Sequence, residues 1–445
     1  MVSQYSMSMR LQSPMSDAIL TKNASFLDKL ARTAFDFFLQ NTNATTGLIA
    51  DSSRPGSPSS IAATGFGLTS YLVAVERGWL SRKDAIERTL KVLEFFWNSP
   101  SGNGDNVTGY KGFFYHFLDM NTGLRVWNCE LSMIDTALLI AGMLAAGTYF
   151  SGTDPDESRI RELSDGLYRR IDWQWARNSG STLCQGWKPD CGFLHYDWEG
   201  YNEGTILYVL AMASPSYPLH AESYHKWAVT YQWENIYGID VLYAGPLFIH
   251  QFSHVWIDFR SIRDAFMREK KSDYFQNSRN ATLIQREYGR LNPLRFDGYN
   301  ENCWGLSASE GPAGKKVRIH QRERECFDYI ARGVPFGPDD GTLAPAAIAA
   351  SMPFAPEIVI PALKHIIDTY PDVIQDNRIP SSFNPSIKTT DSKTWVSDGY
   401  LGLDQGLIIS MVENARSNFI WNLMQKCPYI ISGLKRAGYK GGWLS

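Results

Sequence analysis

Glu203, Asp404 and Asp135 are the residues whose type and position in this chain best suit chemistry. Each lies at or within a turn of the start of an apolar segment with helical period, so a ring of such segments would turn all three toward one end. Two carboxyl groups suffice to cleave a glycosidic bond: one protonates the leaving oxygen, the other activates water or attacks the sugar. Trp127, Asn128 and Glu130 stand near Asp135, Trp198, Glu199, Tyr201 and Asn202 near Glu203, and Trp395, Asp398 and Tyr400 near Asp404. Rings among polar groups suit sugars, because pyranose C–H faces stack on them while the polar groups take the hydroxyls.

Capping competes with chemistry at these positions. Ser132 and Asp135 have capping-box spacing, and acidic residues are favoured at helix N-termini in any case. The helix dipole also favours the ionised carboxylate, whereas a general acid needs its pKa raised, so burial against Trp or a second carboxylate must override it. Glu203, with Trp198, Glu199 and Tyr201 close by, has the best setting for that and is the expected acid. His250 and His254, in HQFSHVWIDFR, would share a helical face at i, i+4 and could bind metal, hydrogen-bond a substrate or sit satisfied in the core. No third ligand stands near them in sequence, and the carboxylate reading requires neither a metal nor an organic cofactor. Zinc-protease, phosphate-loop, dinucleotide and nucleophile-elbow motifs do not occur.

The elements that would position these groups read as helices, buried and half-exposed in turn. Residues 65–75 (GFGLTSYLVAV) and 132–149 are apolar on nearly all faces, as are 203–213, 342–351 and 403–412. Residues 81–97 carry only a stripe of Ile86, Leu90, Leu93 and Trp97, and 156–171 only Ile160, Leu163, Leu167 and Ile171. Residues 356–370 and 421–437 follow the last two buried segments as outer partners. Alternating strand patterns are nearly absent. The expected fold is all-α, an (α/α)6 barrel of inner and outer helices with its cleft where the inner helices begin. Residues 1–24 read as an N-terminal extension and 25–445 as a single catalytic domain.

Composition fits this picture. The 445 residues are 44% hydrophobic and 20% charged, enough for a large core, and 13% aromatic. With 43 Lys plus Arg against 46 Asp plus Glu, a net charge of −3 offers no field for nucleic acid. The longest apolar run, 137–146, is too short to span a bilayer. Residues 1–20 lack the apolar run of a secretory signal. The six cysteines show no metal or redox spacing and read as free thiols. A monomer is expected.

At these same segments the chain resembles the glycoamylase-like family that includes the β-1,2-glucanases of glycoside hydrolase family 144, related to the glucanase-like domain of cyclic β-1,2-glucan synthases. The resemblance rests on long ordered blocks: residues 59–96, SMIDTALLIAG at 132–142, EGYNEG at 199–204, HQFSHVWIDFR at 250–260, WGLSASEGP at 304–312, DDGTLAPAAIAASMPFAP at 339–356 and YLGLDQG at 400–406. It implies the (α/α)6 barrel, inverting hydrolysis and a β-1,2-linked glucan substrate, attacked endo or exo, in the periplasm or outside the cell. It also implies Glu203 as general acid and either Asp404 or Asp135 as base. In this reading Trp127, Trp198, Tyr201, Trp304 and Trp395 form sugar platforms, Glu130, Glu310 and Asp340 hold hydroxyls, and His250 and His254 lie against substrate. An α-glucan exo-hydrolase of glucoamylase type, a transglycosylase and a catalytically silent glycan-binding protein are the alternatives. One departure stands out: where the family is expected to read Asp-Ala-Phe-Asn, this chain has Ser381, Ser382, Phe383 and Asn384.

Overall fold

The structure, a computed structural model, describes residues 14–319 and 322–445. Helices Ile61–Glu76, Met133–Tyr149, Thr205–Ala213, Pro345–Ala350 and Gly402–Ser417 form most of an inner ring. Their sequences have no polar face, and burial follows: every residue of Thr205–Ala213 and of Pro345–Ala350 is buried. Small residues set the closest contact. A Cβ on Gly65 would lie 2.6 Å from the Leu139 Cα, and one on Gly142 would lie 2.1 Å from the Gly65 carbonyl oxygen, so Ile61–Glu76 and Met133–Tyr149 pack backbone to backbone.

The fourth place in the ring is held by two 3-10 turns, Leu247–His250 and Phe252–Val255, with Gln251 between them. Two sets of hydrogen bonds lock them in. Gln251 Nε2 donates to the Ala347 carbonyl at 2.7 Å and the Ser351 Oγ at 2.9 Å. Ser253 Oγ donates to the Glu203 carbonyl at 2.9 Å and accepts from the Ile206 amide at 3.0 Å. The ring therefore closes, and the expected continuous helix through His250 and His254 is replaced by a broken one.

Ala24–Gln40, Arg82–Asn98, Pro155–Arg169, Tyr274–Leu291 and Pro356–Thr369 lie outside this ring, each burying one face. In Arg82–Asn98 the fully buried face is Ala85, Thr89, Val92, Leu93 and Phe96, rotated from the expected stripe so that Ile86, Leu90 and Trp97 flank it half-buried. The expected outer helix at 421–437 is two helices, Phe419–Met424 and Pro428–Arg436, because the Pro428 ring cannot continue a helix but starts one well. Helix Pro14–Lys22 packs on Pro356–Thr369; residues 1–13 of the expected extension lie outside the described residues. Inner and outer helices together form an all-α (α/α)6 barrel. No helix among the described residues is long and apolar enough to cross a membrane.

Short strands, which the sequence does not announce, cluster where the inner helices begin. Ser59–Ser60 pairs with Phe117–Leu118 and runs into Ile61–Glu76, and Leu131–Ser132 pairs with Gly186–Lys188 and runs into Met133–Tyr149. Single bridges join Leu343 to Phe383 and Leu401 to Ser52, just ahead of the last two inner helices. Two or three residues are too few to show alternation. These pairings tie the long connecting loops into a rim around one end of the barrel.

Candidate active site

Within that rim lies a cavity of about 390 Å³, lined by Glu203, Asp404, Asp135, Glu130, His116, Trp198, Gln185, Gln251 and Tyr329 among others. The three carboxylates expected at inner-helix starts therefore meet in one place. Local structure explains each position. Ser132 caps its helix by accepting from the Asp135 amide at 3.1 Å, and its hydroxyl donates to Asp135 Oδ2 at 2.5 Å. Capping and cavity lining are thus served by the same residue pair. Glu203 directly precedes Gly204, the cap of Thr205–Ala213. Asp404 lies in the first turn of Gly402–Ser417, whose first amide donates to the Asp51 carbonyl at 2.7 Å.

The cavity has two electrostatically different walls. On one, His116 Nδ1 lies 2.9 Å from Glu130 Oε1 and Nε2 lies 3.5 Å from Asp135 Oδ2. Burial disfavours the imidazolium, but Asp135, Glu130 and Asp51 outweigh it and lift His116 to about 9. Glu130 is raised by burial and pulled down further by the hydrogen bond from His116, ending below its ordinary value. Ligand atoms of His116, Glu130 and Asp135 all fall within 4.8 Å of one another, close enough for a metal ion. When both its nitrogens are protonated, His116 is no metal ligand and itself supplies positive charge at this place.

On the other wall no cation among the described residues pairs with the carboxyls. Burial raises Glu203 to about 7, and the charge of Asp135 adds to the shift. Burial likewise raises Asp404 to about 7, with Ser381 lowering it and Glu310 and Asp51 raising it. The Ser381 hydroxyl is near enough to act on Asp404, yet neither it nor Asp404 Oδ2 completes a hydrogen bond of normal geometry within the described residues. Asp51, behind this wall, is raised by burial to about 6. The helix dipole loses to burial at both Glu203 and Asp404.

Other expected site residues stand elsewhere. Asp340 does not face the cavity: it is 1% exposed and bidentate to the equally buried Arg332, at 2.8 Å to both Nε and Nη2. Trp304 is fully buried and belongs to the core, not to a sugar platform. His250 and His254 are also core residues. His250 contacts the Tyr201 hydroxyl at 3.2 Å and the Ala244 carbonyl at 3.0 Å, and His254 contacts the Ser278 Oγ at 3.0 Å. Burial lowers them to about 4 and about 3, so both are neutral, and neither is placed to meet substrate. Tyr201 packs against Tyr231 and Tyr274 outside the cavity lining, and Trp395 lies on strand Thr394–Val396, also outside it. Glu310 is ion-paired with Arg54 behind Asp404. Trp198 lines the cavity with its indole N–H unpartnered, and Trp127, 67% exposed, reaches outward from His116 through Phe117.

His116, Asp51, Gln185, Gln251 and Tyr329 escaped the sequence reading. Asp51 could have been found, since it too lies in a loop that runs into a buried helix. His116 and Tyr329 lie between or beside two-residue strands, where no helical period marks the place.

Known proteins bear on this geometry. Residues 195–428 match the sequence model of the glycoamylase family, described as "Putative glucoamylase". The chain is similar, at 27% identity over 92% of its length, to an exo β-1,2-glucooligosaccharide sophorohydrolase (non-reducing end) of Parabacteroides distasonis, of which it spans only 57%. Among solved structures it is similar to an endo-β-1,2-glucanase from Chitinophaga pinensis in complex with sophorotriose and glucose, with TM-score 0.80, 26% identity and coverage of 95% and 99% of the two chains. The β-1,2-glucanase from Parabacteroides distasonis shares the fold, with TM-score 0.81 at 24% identity over 94% of this chain and 60% of that one. The chain belongs to the glycoamylase family.

Proposed function

We propose that this protein is an inverting glycoside hydrolase acting on β-1,2-linked glucan. The observation that carries the reading is the meeting of Glu203, Asp404 and Asp135 in one cavity, with burial raising the first two to about 7. Near neutral pH Glu203 still holds a proton to give to the glycosidic oxygen, the requirement for a general acid. Asp404 is the better base, because its Oδ2 has no partner among the described residues to lose when it takes a proton from water. Asp135, held by Ser132 and His116, keeps its charge oriented and adds to the field that keeps Glu203 protonated. The linkage rests on similarity to the sophorohydrolase and the endo-β-1,2-glucanase.

Chain-length-resolved product analysis tests this, with linear β-1,2-glucan beside maltooligosaccharides, laminarin and cellulose oligomers. β-1,2-Oligosaccharides of inverted anomeric configuration are the expected products; a ladder denotes endo attack and a single disaccharide exo attack. Glucose from maltooligosaccharides alone would replace this reading with an α-glucan hydrolase, and products longer than the starting chains would make it a transglycosylase.

A further inference from the structure

Tyr329 is the cavity residue on which the carboxylates converge. Besides burial, the charges of Asp404, Asp51, Asp135 and Glu203 all act on its phenol and push its pKa up, so it stays a neutral O–H donor. Desolvation falls on the phenol, while the residue as a whole is 57% exposed and lines the cavity, and its hydroxyl makes no hydrogen bond to a described residue.

The backbone that carries it is fixed from behind. The Phe327 amide donates to Asp340 Oδ2 at 2.8 Å, and Arg332 Nη2 donates to the Phe327 and Asp328 carbonyls at 3.3 and 3.2 Å. Arg332 Nη1 also holds the Ser309 carbonyl at 2.7 Å, and Ile330–Ala331 pairs with Ala308–Ser309. A fully buried ion pair therefore clamps the turn just before Tyr329. Removing one partner of such a pair is strongly destabilising, because it leaves the other charge buried and uncompensated, which suits a fixed support.

A cleft walled by carboxylates offers sugar hydroxyls many acceptors and few donors. His116 is engaged by Glu130 and Asp135, and the Gln251 amide nitrogen by Ala347 and Ser351. We propose that Tyr329 is a substrate-positioning residue, donating its O–H to a hydroxyl oxygen of the glucan unit held between Glu203 and Asp404, and that the Arg332–Asp340 pair acts through it. This rests on the hydrolase reading above.

The test compares wild type, Tyr329→Phe, Tyr329→Ala and Glu203→Gln on linear β-1,2-glucan, with folding checked by thermal melting. Tyr329→Phe should lower kcat/KM by about 10-fold or more, the size of a lost hydrogen bond to a bound hydroxyl, with an unchanged melt. Tyr329→Ala should lower it further. Arg332→Gln should lose activity too, and combining it with Tyr329→Phe should cost less than the product of the two effects, because both act through one contact. A Tyr329→Phe enzyme with wild-type kcat and KM overturns the inference while the hydrolase reading stands. If wild type itself does not cleave β-1,2-glucan, the hydrolase reading falls, and calorimetric binding of β-1,2-gluco-oligosaccharides decides Tyr329: 10-fold weaker binding by Tyr329→Phe sustains its role, and equal or absent binding in wild type and variant ends it.

Discussion

The two walls of the cavity use the same chemical groups to opposite ends. Around His116, the carboxylates of Glu130 and Asp135 sit within 2.9 and 3.5 Å of a ring whose pKa their charges raise to about 9, so two anions share one cation. Around Asp404 and Glu203 no cation among the described residues is near enough to balance them, and burial raises both to about 7. A third arrangement, at His250 and His254, removes carboxylates altogether, and those rings go neutral in the core. Neighbours, not residue type, decide which groups can exchange a proton at working pH.

The largest effect should come from the unpaired wall. Glu203→Gln removes the proton donor and should lower kcat by roughly 10²–10⁴ without unfolding the protein. Asp404→Asn should do the same if Asp404 is the base, whereas Asp135→Asn should fall mainly on the basic limb of the pH profile, since Asp135 helps keep Glu203 protonated. In wild type kcat/KM should trace a narrow bell centred near 7, because the active form needs Glu203 protonated and Asp404 ionised, and both titrate near that pH. A broad plateau, or an Asp404→Asn enzyme retaining most activity while Asp135→Asn loses it, would exchange the two roles.

The walls should also differ in how stability depends on pH, with opposite causes. His116 is raised from 6.5 to about 9, so its pairing stabilises the fold fully below 6.5 and is lost as pH rises through 9. Glu203 is raised from 4.5 to about 7, so the native state binds the extra proton and stability falls as pH climbs from 4.5 through 7. Each shift corresponds to about 3 kcal/mol at most. Denaturant melts at pH 5, 7 and 9 should therefore show His116→Gln less stable than wild type at pH 5 with the gap closing toward pH 9. Glu203→Gln should match wild type near pH 4.5 and exceed it at pH 9. Parallel curves for either variant would mean that its wall does not carry the charge state described.

How much of this contrast could be read in the sequence depends on what shaped each part. The inner helices were legible because burial on all sides removes every polar face, and Glu203, Asp404 and Asp135 because they stand at the starts of such helices. His116, the cation of the paired wall, was not, because it reaches that wall from a loop tied down by the two-residue strands Phe117–Leu118 and Ser59–Ser60, a long-range pairing with no local period. Asp340 and Trp304 misled for the converse reason. They lie in segments rich in glycine and charge that look like cleft loops, but a buried partner, Arg332, and the packing of the Tyr274–Leu291 helix, where a Cβ on Gly289 would come within 2.8 Å of the Trp304 Cβ, draw them into the core. The i, i+4 spacing of His250 and His254 implied one helix face, and Gln251, committed to Ala347 and Ser351, breaks that helix.

The smallest expected effect concerns Ser381, where an aspartate was expected from the family. Its hydroxyl lowers Asp404, against burial and the charges of Glu310 and Asp51. Ser381→Ala should therefore move the acidic limb of kcat/KM upward by less than a unit and leave the basic limb, set by Glu203, in place. Ser381→Asp should move the same limb further, because a second carboxylate beside an already buried one disfavours ionisation of both. The pH profiles of the two variants on linear β-1,2-glucan decide this. If the acidic limb stays fixed in both, Asp404 does not set it, and the unpaired wall has a single titrating member, Glu203. If the limb moves while kcat at its optimum is unchanged, position 381 tunes the pH at which the base is ready and not the reaction it performs.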